Sequence, residues 1–77
     1  MDNKSVAEFM ISEILEKGYV YQEYIVQDIQ EKFGEEFVYE NENGNLAISK
    51  KVLNEFKKLK EDNGIEWDRS DKSWVKN

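Results

Sequence analysis

Apolar residues recur at helical spacing in three segments of this chain. In the first segment, from about residue 6 to 17, Ser5 and Glu8 have the spacing of a capping box, which satisfies free amides at a helix start. Gly18 is placed to end this helix. Its apolar residues cover a wide arc, so we expect a central helix that is contacted from two sides; they are Val6, Ala7, Phe9, Met10, Ile11, Ile14 and Leu15.

The second helix is predicted from about residue 21 to 33 and the third from about 50 to 62. Gly34 ends the second, and Ser49 is a favourable N-cap for the third, which stops before Asn63 and Gly64. Both have an apolar stripe on one side. The core side of the third helix is expected to carry Val52, Leu53, Phe56 and Leu59.

Two shorter regions favour β-structure. Residues 35–40 and 46–48 flank an Asn-Gly turn, which predicts a hairpin. Residues 65–76 predict a second hairpin; if Ser70 and Asp71 form its loop, Trp67 lies opposite Trp74 and Arg69 opposite Lys72, with both tryptophans on the core side. Residues 18–21 read as an extended link. The four tyrosines are expected at the core edge, and several of them exposed together would indicate a protein interface.

Composition narrows the chemistry. The chain has 77 residues, which predicts a single domain spanning residues 1–77, and it contains neither cysteine nor histidine. Carboxylates are therefore the only ordinary metal ligands, and the acidic, Asn-rich loop at 40–45 lacks EF-hand spacing. No nucleophile is paired with a base, and no glycine loop suits a phosphate. We expect no enzyme activity, no cofactor and no metal.

The charge is distributed unevenly. The formal net charge is −6. Residues 1–48 hold three lysines against eleven acids, whereas residues 49–60 hold five lysines against one acid. The third helix is thus the basic part of an acidic protein. No apolar run approaches a membrane span and no signal peptide is evident, so we expect a soluble, cytoplasmic protein.

The order of helix, extended link, helix, helix and terminal hairpin resembles the winged helix-turn-helix superfamily. A narrower likeness rests on segments 33–39 and 44–48, on the spacing of Val52-Leu53 and Phe56, and on Trp67-Asp68-Arg69 with Trp74. In these residues the chain looks like a small family of uncharacterised bacterial and phage-associated proteins. The fold class expected is therefore α+β and winged-helix-like, with three helices, a short hairpin before the third helix and a C-terminal wing. Fifteen residues, 34–48, replace the usual tight turn between helices two and three.

The resemblance implies a recognition helix and a wing that contact DNA. Carried over by position, the nucleic-acid-binding residues are Lys50, Asn54, Lys57 and Lys58 on the third helix, and Arg69 and Lys72 on the wing; helical geometry adds Lys51 at the flank of the same face. Lysines at this spacing suit phosphates, and Asn54 could read an adenine edge. The plain alternative is a solvated helix surface.

Two functions remain open at this point. The first is a DNA-binding module, sequence-selective or architectural, that acts as a homodimer on double-stranded DNA. The second is a protein-interaction adaptor that binds no nucleic acid and presents an acidic surface that meets a basic protein partner or imitates nucleic acid. That surface is expected around Glu23, Asp28, Glu31, Glu35 and Glu36.

Overall fold

The computed structural model describes residues 2–77 as three helices and two antiparallel sheets. The predicted α+β class is confirmed. In chain order the elements are α1 (Asn3–Lys17), β1 (Tyr19–Tyr21), α2 (Gln22–Phe33), one turn of 3-10 helix (Glu35–Phe37), β2 (Val38–Glu40), β3 (Leu46–Ile48), α3 (Lys50–Asp62), β4 (Ile65–Asp68) and β5 (Ser73–Lys76).

Helix α1 begins three residues earlier than the capping-box pattern predicts. Asp2 is the N-cap, and its carboxylate accepts a hydrogen bond of 2.8 Å from the Ser5 amide. Ser5 therefore lies inside the first turn, so the predicted capping box is wrong. The end at Gly18 is confirmed; its φ of 85° is a left-handed conformation that favours glycine, and its amide donates to the Ile14 carbonyl.

The predicted link after α1 is a strand. β1 pairs with β5, which also pairs with β4, so the order in the sheet is β1-β5-β4. Val20 lies opposite Trp74 and faces the core. β5 thus lies between β1 and β4 in the sheet, and its pairing with β1 holds the segment that joins α1 to α2.

The register predicted for the C-terminal hairpin is confirmed for Trp67 and Trp74. Strand pairing ends at Asp68 and Ser73, so the predicted pair of Arg69 and Lys72 does not form. Both residues belong to a four-residue turn instead. The Asp68 carboxylate accepts hydrogen bonds from the amides of residues 70 and 71, so the chain begins to turn directly after Asp68.

The two tryptophans differ in burial. Trp74 is buried as predicted, but Trp67 is 39% exposed, so its placement in the core is wrong. The two rings are in contact at the sheet margin, with centroids 4.8 Å apart and their planes inclined by 55°. Trp67 covers the outer side of Trp74 and remains partly in solvent.

The hairpin before α3 is also confirmed, with β2 paired to β3. The segment before it differs from the prediction, because Glu35–Phe37 form a helical turn and not the start of a strand. This turn places the Phe37 ring in the core against Phe33, and the Phe37 carbonyl accepts from the Ser49 amide. Both ends of the hairpin are therefore held close to the start of α3.

The core is built around α1, which packs mainly on α3. The predicted inward residues of α3 are confirmed in position: Val52 and Phe56 are buried, and Leu53 and Leu59 pack partly buried against the same cluster. Leu15 is exposed, so the apolar arc of α1 narrows toward its end. The largest fully buried side chains are those of Phe56, Met10, Ile14, Ile25, Ile29 and Ile48.

Candidate functional site

Helix α3 carries most of the predicted binding residues. The Ser49 hydroxyl oxygen caps it by accepting from the Lys51 amide at 3.3 Å. On the inner side, the Phe56 ring meets Trp74 edge-on at 5.1 Å between centroids. Because the inner side is anchored in this way, the opposite side is fixed toward solvent.

The exposed side of α3 is a lysine face, defined by Lys50, Lys51, Asn54, Lys57 and Lys58. All five side chains are exposed, as predicted. Within residues 2–77, the Lys58 ammonium forms an ion pair of 3.4 Å with Glu55 while remaining 74% exposed. Such a surface pair is weak and screened by salt. The charge of the lysine face is thus little reduced by the protein itself.

Arg69 and Lys72, the predicted wing residues, lie in the turn between β4 and β5 and are exposed as well. The Lys72 carbonyl accepts from the Gln22 amide at 3.0 Å, which joins the wing to the start of α2. Lys72 has a φ of 52°, unusual for a residue with a side chain. The β4–β5 turn is therefore attached to the start of α2 through its backbone.

Six of the seven predicted site residues fall into two groups. The five on α3 share the lysine face, whereas Lys72 lies in a cleft of about 540 Å³ between α2, the β2–β3 loop and the wing. The residues that line this cleft include none from α3, and Arg69 is not among them; they are Tyr21, Gln22, Glu23, Val26, Gln27, Asn41, Gly44, Asn45, Leu46, Asp71 and Lys72.

The Asn-rich loop that invites a calcium hypothesis has a structural role. The Asn41 side-chain oxygen accepts from the amides of Asn43 and Asn45, at 3.0 and 3.1 Å. In the described chain, residues 2–77, no three acidic side chains come together where a metal could be held. The amide oxygen of Asn41 is therefore engaged in closing the hairpin.

Sequence reasoning missed a cluster of exposed tyrosines at the junction of β1 and α2. Tyr19, Tyr21 and Tyr24 are 54%, 38% and 59% exposed, so their predicted place at a half-buried core edge is wrong. Their rings form two edge-to-face contacts, with centroids 5.6 Å apart for the first pair and 5.9 Å for the second. The alternation of Tyr19-Val20-Tyr21 is the signal that could have shown it, because a strand turns its odd and even residues to opposite faces.

Comparison with known proteins adds a family. Residues 2–76 match a family of unknown function, DUF6953. The chain belongs to this family. No curated protein and no solved structure matches the chain. Family membership therefore brings no activity with it.

The helices of residues 2–77 are all too short or too polar to span a bilayer. The longest, α1, has fifteen residues, and about 20 apolar residues are needed for such a span.

Proposed function

We propose that this member of DUF6953 is a winged-helix-like module, without enzyme activity, that binds double-stranded DNA. Helix α3 acts as the recognition helix, and the hairpin of β4 and β5 acts as the wing. The element order, with a terminal hairpin following α3, supports this interpretation. In this proposal the protein works in the cytoplasm of a bacterium or a phage-infected cell, as the resemblance suggests.

The observation that carries the proposal is the lysine face. In the described chain the ion pairs join Lys17 to Glu13 and Lys58 to Glu55, so Lys50, Lys51 and Lys57 have no carboxylate partner. An acidic protein that leaves three lysines uncompensated on one helix offers a local site for phosphates. Asn54 lies between them and could contact a base edge.

The hairpin between α2 and α3 changes how such a helix would dock. It replaces a tight turn, yet it leads directly into Ser49 and the N-terminus of α3. The Asn41–Asn45 loop then lies near the wing and the start of α2, because residues of all three line the same cleft. In the proposed complex the loop would approach the DNA backbone beside Lys72.

An electrophoretic mobility shift with random duplex DNA tests the proposal. We expect a shift at low salt that weakens steeply as salt rises, because binding through phosphates releases counterions.

The double variant Lys50→Glu, Lys57→Glu should abolish the shift of the DNA band. A charge-matched control, Lys4→Glu with Lys32→Glu, changes exposed lysines on α1 and α2 and should keep most of the affinity.

Two results would contradict the proposal. One is the absence of any shift at low salt. The other is an equal loss of affinity in both double variants, which would indicate dependence on total charge and not on α3. Circular dichroism of each variant shows whether the helices remain folded.

The alternative function, a protein-interaction adaptor, is favoured by the exposed tyrosine cluster. Tyrosine is enriched at protein interfaces because it offers a large, rigid surface with a polar tip. The acidic residues expected to accompany it are exposed, and they are Glu23, Asp28, Glu31, Glu35 and Glu36.

This alternative is tested by pull-down from a cell lysate with wild-type protein and with Glu23, Asp28 and Glu31 changed to Lys. A basic partner should be lost from the variant but kept by a control in which Glu8, Glu61 and Glu66 are changed to Lys. An unchanged partner list in both would count against the adaptor.

A further inference from the structure

The edge of the sheet at β1 has a free row of backbone groups. The Gly18 carbonyl accepts from Lys76, and the Gln22 amide donates to Lys72, so the even-numbered residues of this segment direct their backbone toward β5. The backbone groups of Tyr19 and Tyr21 consequently point away from the sheet. Within residues 2–77, no strand pairs with β1 on that side.

This edge lacks most of the features that usually prevent strand pairing. Natural edge strands are protected by being very short, by charged side chains, by proline or by bulges. The other edge of the same sheet, β4, carries Glu66 and Asp68. The β1 edge is short, with three residues, but it carries no charge, proline or bulge; residues 18–22 are an uncharged run in a chain of which 36% is charged. The two edges of the sheet therefore differ, because β4 carries charged side chains and β1 does not.

The charges at the two ends of this run are opposite. Lys17 precedes it and Glu23 follows it. If two copies of the chain pair antiparallel about Val20, Tyr19 of each copy lies opposite Tyr21 of the other, and Lys17 of each lies at the end where Glu23 of the other begins. The edge is thus complementary to itself in hydrogen bonding, in aromatic surface and in charge.

We propose that β1 is a homodimer interface at which a second copy of this chain adds its own β1, so that one antiparallel sheet runs through both copies. Tyr19 and Tyr21 exchange N–H to C=O hydrogen bonds across the two-fold axis. Their rings, 54% and 38% exposed in the single chain, cover one another across the interface, and Tyr24 extends this surface. The interface is separate from the lysine face and does not depend on DNA binding.

If the proposed function holds, dimerisation increases the number of lysines that can contact DNA. A dimer presents two lysine faces and two wings, which doubles the phosphate contacts of one chain. Dimerisation is measured without DNA, however, so either idea can fail while the other stands.

Sedimentation equilibrium of the full chain over a wide concentration range tests the interface. We expect a monomer–dimer equilibrium whose dissociation constant rises about tenfold or more in Tyr19→Lys, because the two-fold axis places two lysines in the contact. Tyr39→Lys changes a similarly exposed tyrosine on β2 and should dimerise like the wild type.

A charge-swap experiment tests the antiparallel pairing itself. Lys17→Glu alone places two carboxylates at each end of the interface, and Glu23→Lys alone places two ammonium groups there, so each should weaken the dimer. An equal mixture of the two variants should form heterodimers as tightly as the wild type, because each end again holds one charge of either sign.

Three results would overturn the proposal: a wild-type chain that stays monomeric at every concentration, a dimer insensitive to Tyr19→Lys, and a mixture no tighter than its components. A monomer that binds an extended peptide at β1 would also overturn it, since the edge would then serve another protein. Circular dichroism of Tyr19→Lys separates a lost interface from a lost fold.

Discussion

The ring of Phe56 on α3 meets the ring of Trp74 on β5 edge-on, with 5.1 Å between the centroids. Phe56 is 1% exposed and Trp74 is 6% exposed, so this contact lies in the core. It joins the helix that carries the lysine face to the hairpin of β4 and β5, the wing of the proposed DNA-binding module. The two parts of the candidate DNA-binding surface therefore share one buried aromatic contact.

Replacement of Phe56 by Ala should lower the free energy of unfolding by about 3–5 kcal/mol, because it removes a buried ring and leaves a cavity. Urea denaturation followed by circular dichroism measures the change. Leu53→Ala serves as a control on the same helix and should cost less, since that side chain is only partly buried. Equal losses at the two positions would contradict the place given to Phe56.

The difference in burial between Trp67 and Trp74 predicts a difference in the stability of their alanine variants. Trp67→Ala should cost less than Trp74→Ala, for which about 3–5 kcal/mol is expected from burial. Trp67 contributes stacking and partial cover, and contacts of this kind contribute about 0.5–1.5 kcal/mol beyond their area. Urea denaturation of both variants, with Trp67→Phe as a ring-preserving control, measures the difference. A greater loss from Trp67→Ala than from Trp74→Ala would contradict the assignment.

Local sequence signals were sufficient for α3 and for the pairing of Trp67 with Trp74. Ser49, the apolar stripe and the Asn-Gly stop mark the limits of this helix in the local sequence, although its stability also depends on packing against α1 and β5. The lysine face follows directly from those limits, because helical geometry alone decides which side chains lie opposite Phe56.

Features that depend on distant partners could not be predicted in the same way. β1 has three residues, too few for a clear pattern, and it becomes a strand because β5 pairs with it from the other end of the sequence. The tyrosine cluster and the cleft at Lys72 depend on that pairing as well. At the start of α1, Asp2 and Ser5 are both favourable caps, and the sequence does not show that the helix takes the earlier one.

The N-cap of α1 makes a pH-dependent contribution to stability. The hydrogen bond from the Ser5 amide lowers the pKa of the Asp2 carboxyl below its ordinary value of 3.8. A carboxyl whose pKa is lower in the folded state stabilises the fold above its unfolded pKa, and this contribution is lost as the pH falls through the folded pKa. Asp2→Ala should therefore be less stable than the wild type at neutral pH, and the difference should shrink below pH 3.8.

Urea denaturation of both proteins at a series of pH values measures this difference. Asp2→Asn keeps a capping oxygen without the titrating group, so its stability relative to Asp2→Ala should change little with pH. A difference between wild type and Asp2→Ala that stays constant into strong acid would rule out the ionised cap.

The strained backbone at Lys72 allows the fold and the proposed function to be separated. Its φ of 52° favours glycine, so Lys72→Gly should leave the stability unchanged or raise it by up to about 1 kcal/mol. The same change removes a wing cation, so DNA affinity should fall and the slope of log affinity against log salt should decrease by about 1.

Arg69→Gln removes the other wing cation without altering a left-handed residue, and it should reduce the slope with little effect on stability. Urea denaturation and salt titrations of DNA binding measure both quantities. An unchanged slope in both variants would show that the wing does not touch DNA, whatever α3 does.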